Sequence, residues 1–401
     1  MSLPIVSVPP IISRLTNPYR GFFTKPQFKH FRRLVTGLIV SPNKTLQEIN
    51  DAYGDTNQSS LNRFVSHSKW DLDRLNQRRL SHIRKCVHFT RKGILVIDES
   101  LLHKSGRHME LAGAHRSGMT KRIEWGHMAV NAVYTDTLGN TVPVDIRIYV
   151  KDKDCDKYGV GFKTKRELGI EEVDFALQAK LPISLVIADA GYQGEAFVRA
   201  LQERLLDYIV GVRTTTKISI ARSDRIEIKA YLDQLTKDDF TKYNTADQTY
   251  FYHCTDAYIR GIGKIKLVVS FTEDDEDTMK CYISNLDEDD ATIFKLLLKR
   301  WSIECFHRDA KQHLGLEAYQ VRLGRGMQVV ALAILTAYTL VFLAMRKLKT
   351  PGRSLRTIGE TCRYLGMIAY KGVRWIRRKM RDTAEFIHVL KAHVFVKNAK
   401  V

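Results

Sequence analysis

The sequence predicts an α/β protein carrying a β-rich segment, with basic helical regions at either end. Three observations lead there. GILVIDES (93–100) and ISLVIADAGYQ (183–193) are short apolar runs, each closing on an aspartate. Between 165 and 212, strand-like and helical patterns alternate, the order expected of an α/β unit. The charge is divided by region. Residues 1–93 hold 16 basic and 5 acidic side chains, and residues 346–401 hold 15 and 3, whereas 94–345 holds 33 and 36. The net charge of +20 calls for a polyanionic partner, nucleic acid first and an anionic membrane surface second.

The first region, 1–92, reads as helical. Within 45–71, Thr45 and Glu48 form a capping box, and Leu61, Phe64 and Val65 share one face of a second helix. The break at Gly54 and Asp55 makes a candidate helix-turn-helix, and an ordinary helical hairpin has the same spacing. After 93, two extended runs surround a turn at 137–140, and helices are expected over 165–180 and 194–204. RIEIKAYL, QTYFYHCTDAYI, KIKLVVSF and MKCYISNL alternate with period two, so 213–288 is expected to be β-rich, with 273–277 an acidic solvated loop. Helical period returns from Ala291 and continues past Glu304.

Six cysteines lie far apart with no zinc spacing, which suits a reducing compartment. The opening MSLPIVSVPPIISRL lacks the charged region and cleavage site of a secretory leader, so none is expected. Residues 327–345 are almost wholly apolar and long enough to span a bilayer; a helix buried in a protein core reads the same way and is the preferred reading.

The chemistry is expected from carboxylates. Asp98 and Asp189 each end a buried strand, where side chains face the crevice of an α/β sheet. Two such aspartates suit a hard cation, and a third carboxylate is needed for a second ion. That carboxylate is sought in KRWSIECFHRDAKQHLG. On one helix, Glu304 lies roughly 40° around from Arg300 and Lys311 roughly 20° short of Glu304, with His307 and Arg308 at the edges of the stripe. Arg forks onto phosphate and Lys acts as a point charge, so the stripe suits DNA beside a metal ligand. Arg300 and Glu304 also fit a plain surface pair. Lys104 and His103 suit either DNA contact or a solvated loop, and Trp301 either base stacking or the core. Gly191 allows a sharp exit from the second strand.

VIDES followed by HKSG, IADAGYQGEAFVRAL with DYIVGVR, and RWSIECFHRDAKQHLGLEAYQVR together resemble insertion-sequence DDE transposases. The last matches the family's Tyr-x2-Arg-x3-Glu-x6-Lys signature at Arg300, Glu304 and Lys311, with Leu297 at the Tyr position. The resemblance spans about 94–345 well and 45–71 loosely. It implies an RNase H-like core (93–212 and 289–345) interrupted by a β-rich insertion (213–288), between a DNA-binding region (1–92) and a basic helical region (346–401). It implies that Asp98, Asp189 and Glu304 hold two Mg²⁺ ions, with Mn²⁺ able to substitute. Arg300 and Lys311 would grip phosphates, with Lys104, His307 and Arg308 as further DNA contacts. The implied reaction is cutting at transposon ends and transfer of the 3′-hydroxyl ends into target DNA. The implied partners are terminal inverted repeats and target DNA, bound by a homodimer in the prokaryotic cytoplasm, at the nucleoid, with no membrane involved. A domesticated or inactive DNA-binding protein and a metal-dependent nuclease without strand transfer remain the alternatives.

Overall fold

The computed structural model describes residues 5, 7–53, 58–118, 120–220, 225–348 and 354–370. The chain forms two compact units. One is built from residues 1–88, 101–128 and 306 onward, the other from 89–100 and 129–305.

Five helices open the chain: α1 (Pro10–Thr16), α2 (Lys25–Val40), α3 (Leu46–Tyr53), α4 (Gln58–His67) and α5 (Leu72–Cys86). Local chemistry starts several of them. Thr24 and Gln27 cap α2 reciprocally, Thr45 accepts from the Glu48 amide ahead of α3, and Asp71 caps α5. The α3 and α4 helices are those expected of a helix-turn-helix; the turn between them, at Gly54 and Asp55, lies outside the described residues. The buried face of α4 carries Leu61, Phe64 and Val65, as its spacing requires.

Twelve strands and five α-helices follow before the last three helices, among the described residues. In chain order they are β1 (Gly93–His103), β2 (Gly113–Arg116), β3 (Ile123–Thr135), β4 (Thr141–Tyr149), α6 (Asp152–Tyr158), α7 (Lys165–Gln178), β5 (Ile183–Ala188), α8 (Glu195–Glu203) and β6 (Asp207–Val212). Then come β7 (Lys217–Ile218), β8 (Ile226–Glu227), α9 (Ile228–Leu232), β9 (Thr241–Asn244), β10 (Thr249–Ile259), β11 (Gly263–Thr272), β12 (Asp275–Ser284) and α10 (Asp290–Leu297). The chain continues with α11 (Trp301–Leu314), α12 (Gly324–Lys347) and α13 (Ile358–Ala369).

The second unit is organised by one mixed sheet. β3 pairs with β4 and lies beside β1, after which come β5, β6, β12, β11, β10 and β9. β1 runs parallel to β5, and β5 parallel to β6. Antiparallel pairing takes over from β6 to β12 and onward. The central strands are buried over almost their whole length, as their unbroken apolar runs require. The turn between β3 and β4 is tied by Asp136, whose Oδ1 accepts from the Leu138 and Asn140 amides at 3.0 Å each.

Several expectations need correction. β1 does not stop at Asp98 but runs on to His103. The partner strand β5 ends at Ala188, so Asp98 stands where that ladder ends rather than where its own strand ends. RIEIKAYL is not a strand: only Ile226 and Glu227 are extended, and Ile228–Leu232 is helical. The acidic run 273–277 is part turn and part β12, and its described side chains are exposed. The helix expected from Ala291 is broken by a 3-10 turn at Leu298–Arg300, so Glu304 falls in the first turn of a separate helix, α11.

In the first unit, α12 is the core. Its most apolar stretch is 94% buried, packed by α1, α2, α4, α5 and α13. Its hydroxyls are satisfied within the helix: Thr336 donates to the Leu332 carbonyl at 2.8 Å and Thr339 to the Leu335 carbonyl at 2.9 Å. The bilayer-length segment is therefore consumed by packing against its own chain. Of the basic C-terminal region 346–401, the description covers 346–348 and 354–370, including α13.

Arg79 ties α5 to α12. It is fully buried and donates from Nε to Asn76 Oδ1 at 2.8 Å and from Nη1 to Thr339 Oγ1 at 2.9 Å. Arg79→Ala opens a cavity and removes the donors to Asn76 Oδ1 and Thr339 Oγ1, so it should destabilise the protein by about 3 kcal/mol. Urea unfolding of the variant checks this, and a change under about 0.5 kcal/mol, the range of a surface substitution, would contradict it.

Candidate active site

The sheet register brings the two aspartates together. Ile97 pairs with Ala188 in the parallel β1–β5 ladder, so the next residues on the two strands are Asp98 and Asp189. Ninety-one positions of chain thus become one strand spacing. Each carboxylate is oriented by a backbone amide. Asp98 Oδ1 accepts from the Glu99 amide at 2.7 Å, and Asp189 Oδ1 accepts from the Gly191 amide at 2.9 Å. Asp189 caps a short 3-10 turn, Ala190–Tyr192, whose Tyr192 is fully buried against Phe197.

Glu304 reaches this pair through Arg300. Arg300 Nη2 lies 2.5 Å from Glu304 Oε1, and Nη1 lies 3.7 Å from Asp98 Oδ2. The arginine side chain is 21% exposed, Asp98 18% and Glu304 33%. Arg300 and Glu304 are therefore more than a surface pair: their guanidinium also faces the first aspartate. Although burial opposes it, Tyr282, Glu304, Asp98 and Asp189 together hold Arg300 in its charged form.

The electrostatics are strained. Burial, then the charge of Asp189, push the Asp98 carboxyl up to about 7, while Arg300 and the Glu99 amide pull the other way. Burial also raises Asp189, opposed first by the Gly191 amide. Two desolvated, mutually repelling carboxylates are the donor set that a hard divalent cation relieves, so the residues fit such an ion. Among the described residues, no three His, Cys, Asp or Glu side chains already converge on one point; Arg300 stands between Asp98 and Glu304.

Three features were missed by sequence reasoning. Tyr282 of β12 is buried; burial raises the pKa of its hydroxyl, and the charge of Arg300 opposes that. No local pattern marks it, since it arrives through pairing of β12 with β6, where it faces Gly211. Gly211 was legible in principle, because a glycine inside a buried strand signals close backbone approach. A Cβ there would lie 2.6 Å from the Ala190 nitrogen and 2.9 Å from the Asp189 carbonyl carbon. Third, Lys165 at the start of α7 pairs with Glu99 at 2.5 Å, beside Asp98.

A cavity of about 250 Å³ adjoins Arg300 and Glu304, and Tyr250, Tyr282, Phe294, Leu297 and Trp301 help to line it. Leu297, at the position of the signature Tyr, is buried. Trp301 is 58% exposed, so the core reading of this residue fails: the 3-10 turn before α11 rotates it outward.

The remaining candidates lie on the first unit. His103 ends β1 and pairs with Glu124 at 3.3 Å. Lys104 is not in a solvated loop. Its ammonium donates to the carbonyls of Glu317 at 2.7 Å and Tyr319 at 3.3 Å, and sits 3.5 Å from the Tyr319 ring centre. Burial lowers its pKa to about 8. Lys311 is held by Glu317 at 2.7 Å. His307 is pushed down to about 4 by burial and then by Lys311, so it is a neutral imidazole at neutral pH. Arg308 is largely exposed, with Asp309 3.8 Å away.

Sequence comparison places the chain among known proteins. A family described as "DDE superfamily endonuclease" matches residues 18–231, and one described as "Transposase DDE domain" matches residues 170–340. The chain belongs to the DDE superfamily of endonucleases. Its resemblance to insertion-sequence DDE transposases is borne out as well. A "Probable transposase for insertion sequence element IS701" from Microchaete diplosiphon is 30% identical over 213 residues. That match covers 52% of this chain, and the chain spans about half the length (55%) of this curated relative. Among solved structures, a piggyBac transposase synaptic complex with hairpin DNA aligns with TM-score 0.47 and 11% identity, over 97% of this chain and 83% of that one.

Two outcomes follow. Asp98 has a folded pKa near 7 against an ordinary value of 3.8. The cost of ionising it in the fold is absent below 3.8, grows as pH rises to about 7, and is constant above. In EDTA, Asp98→Asn should therefore raise the melting temperature at pH 8, and the gain should vanish by pH 4; thermal melts across that range test it. Gly211→Ala should shift the backbone bearing Asp189 and lower nuclease activity at least tenfold, roughly the effect of misplacing a reacting group by an ångström. Unchanged activity would show that the close approach is not needed.

Proposed function

We propose that the chain is a transposase that cuts DNA at the ends of an insertion sequence and joins the freed 3′-hydroxyl ends to target DNA. The observation carrying this reading is the meeting of Asp98 and Asp189 at adjacent parallel strands, with Glu304 linked to them through Arg300. The strand order β4, β3, β1, β5, β6, with the last three parallel, supports an RNase H-like core. On this reading β9–β12 form the β-rich insertion, lying in sequence between Asp189 and Glu304. The N-terminal helices over 1–92 and the basic region 346–401 are DNA-binding parts, and two copies act together on paired ends in the prokaryotic cytoplasm.

Asp98, Asp189 and Glu304 would hold two Mg²⁺ ions, or Mn²⁺ in their place, which supply Lewis-acid activation of the phosphodiester and charge neutralisation at its leaving oxygen. The chain's own groups do the positioning. The amides of Glu99 and Gly191 fix the two aspartates. Arg300, a rigid fork in a poorly hydrated wall, suits a phosphate oxygen pair. Lys311, Arg308 and His307, on the first unit, would be further DNA contacts, with His307 acting as a neutral hydrogen-bonding group. Lys104 is spent on the 317–319 loop, so its part is to shape the segment that holds Lys311.

Asp98→Ala, Asp189→Ala and Glu304→Ala should each lower Mg²⁺-dependent cleavage of a plasmid bearing the flanking DNA by about 10³-fold or more, while mobility-shift binding to that DNA persists. Wild-type cleavage by any of the three would remove it from the site. Joining of a pre-cut end to a target plasmid separates a transposase from a plain nuclease.

A further inference from the structure

The cation shared by Asp98 and Glu304 is one that the chain itself provides. Arg300 turns Nη1 toward Asp98 and Nη2 onto Glu304, so one guanidinium spans both carboxylates. Its charge lowers the pKa of Asp98 and of Asp189, in the direction a bound cation would act. It is held there from one side by the short turn Leu298–Arg300, and Tyr282 lies close by on β12.

We propose that Arg300 is the resident counter-ion of the metal-free site and competes with a divalent cation for Asp98 and Glu304; this rests on the metal-site reading above. The oxygens facing the guanidinium are those a divalent ion would need, and two positive groups on the same oxygens repel each other. Cation entry therefore releases Arg300 from Glu304. Once released, the guanidinium sits in a mostly desolvated wall and needs another anion. A phosphodiester of the bound DNA has the charge and the forked geometry to take that place. Cation and DNA then favour each other's binding, by linkage through a single side chain. The exchange also keeps the carboxylates from repelling each other before the ion arrives.

Mn²⁺ binding to the full-length protein without DNA, followed by the electron paramagnetic resonance of free Mn²⁺, tests this. Arg300→Gln should tighten Mn²⁺ binding roughly tenfold, the loss of one charge-assisted hydrogen bond in the competing state. The same variant should melt lower than wild type in EDTA and gain more from added Mn²⁺. Unchanged or weaker Mn²⁺ binding by Arg300→Gln overturns the proposal. Where that variant does not fold, Arg300→Lys takes its place: one ammonium cannot span both carboxylates, so binding should tighten by a smaller factor, and unchanged affinity again overturns it. Asp98→Ala and Glu304→Ala distinguish the two readings. If both bind Mn²⁺ as wild type does, the metal-site reading fails and this proposal with it. If both lose binding while the Arg300 variants show no tightening, the counter-ion proposal alone fails.

Discussion

Two carboxylates forced into adjacent positions by a parallel β-ladder are the constraint on which the rest of this site depends. The β1–β5 register leaves no freedom: once Ile97 pairs with Ala188, Asp98 and Asp189 must stand side by side. Burial and repulsion then work against both charges. Neighbouring features answer that strain. Backbone amides cap each aspartate, a guanidinium faces Asp98, and β6 lets the Asp189 backbone approach only because residue 211 has no side chain. Buried carboxylates whose ionisation is opposed in this way are the kind of perturbed groups that mark candidate functional sites.

The two units use their residues for different ends. In the first, the strongly apolar α12 is enclosed by helices, and even its polar neighbours are drawn inward, as Arg79 shows by donating to Thr339. In the second, the sheet is extended by β9–β12, whose aromatic side chains reach the cavity beside Arg300 and Glu304. The same segment carries Tyr282. Leu297 therefore does not leave the site without an aromatic hydroxyl, because one arrives from another strand.

Much of the site was legible in local patterns. Aspartates closing apolar runs, the Arg300–Glu304 spacing and the β-rich character of most of 213–288 are properties of short windows, and each has a direct physical signature. The errors also have local causes. RIEIKAYL alternates like a strand, but the Ile228 and Lys229 amides donate to the Thr216 and Thr214 carbonyls, and Ile228–Leu232 turns helical. Trp301 has the composition of a core residue, but a tight 3-10 turn precedes it and turns the ring outward. Lys104 follows the first motif like a free cation, yet carbonyls more than 200 positions later claim it.

By itself the sequence determined the class of protein, and it pointed to three candidate carboxylates and the cationic residue one helical turn before the third. These depend on residue type and short spacing, which survive without coordinates. Only the tertiary structure decided what each charge faces. That Asp98 lies beside Asp189, that Arg300 spans Asp98 and Glu304, and that Tyr282 and Gly211 support the site follow from ladder register and strand order. Such pairings join residues some 70 to 200 positions apart, and the unbroken apolar runs of central strands buried on both faces do not single out a partner or a register.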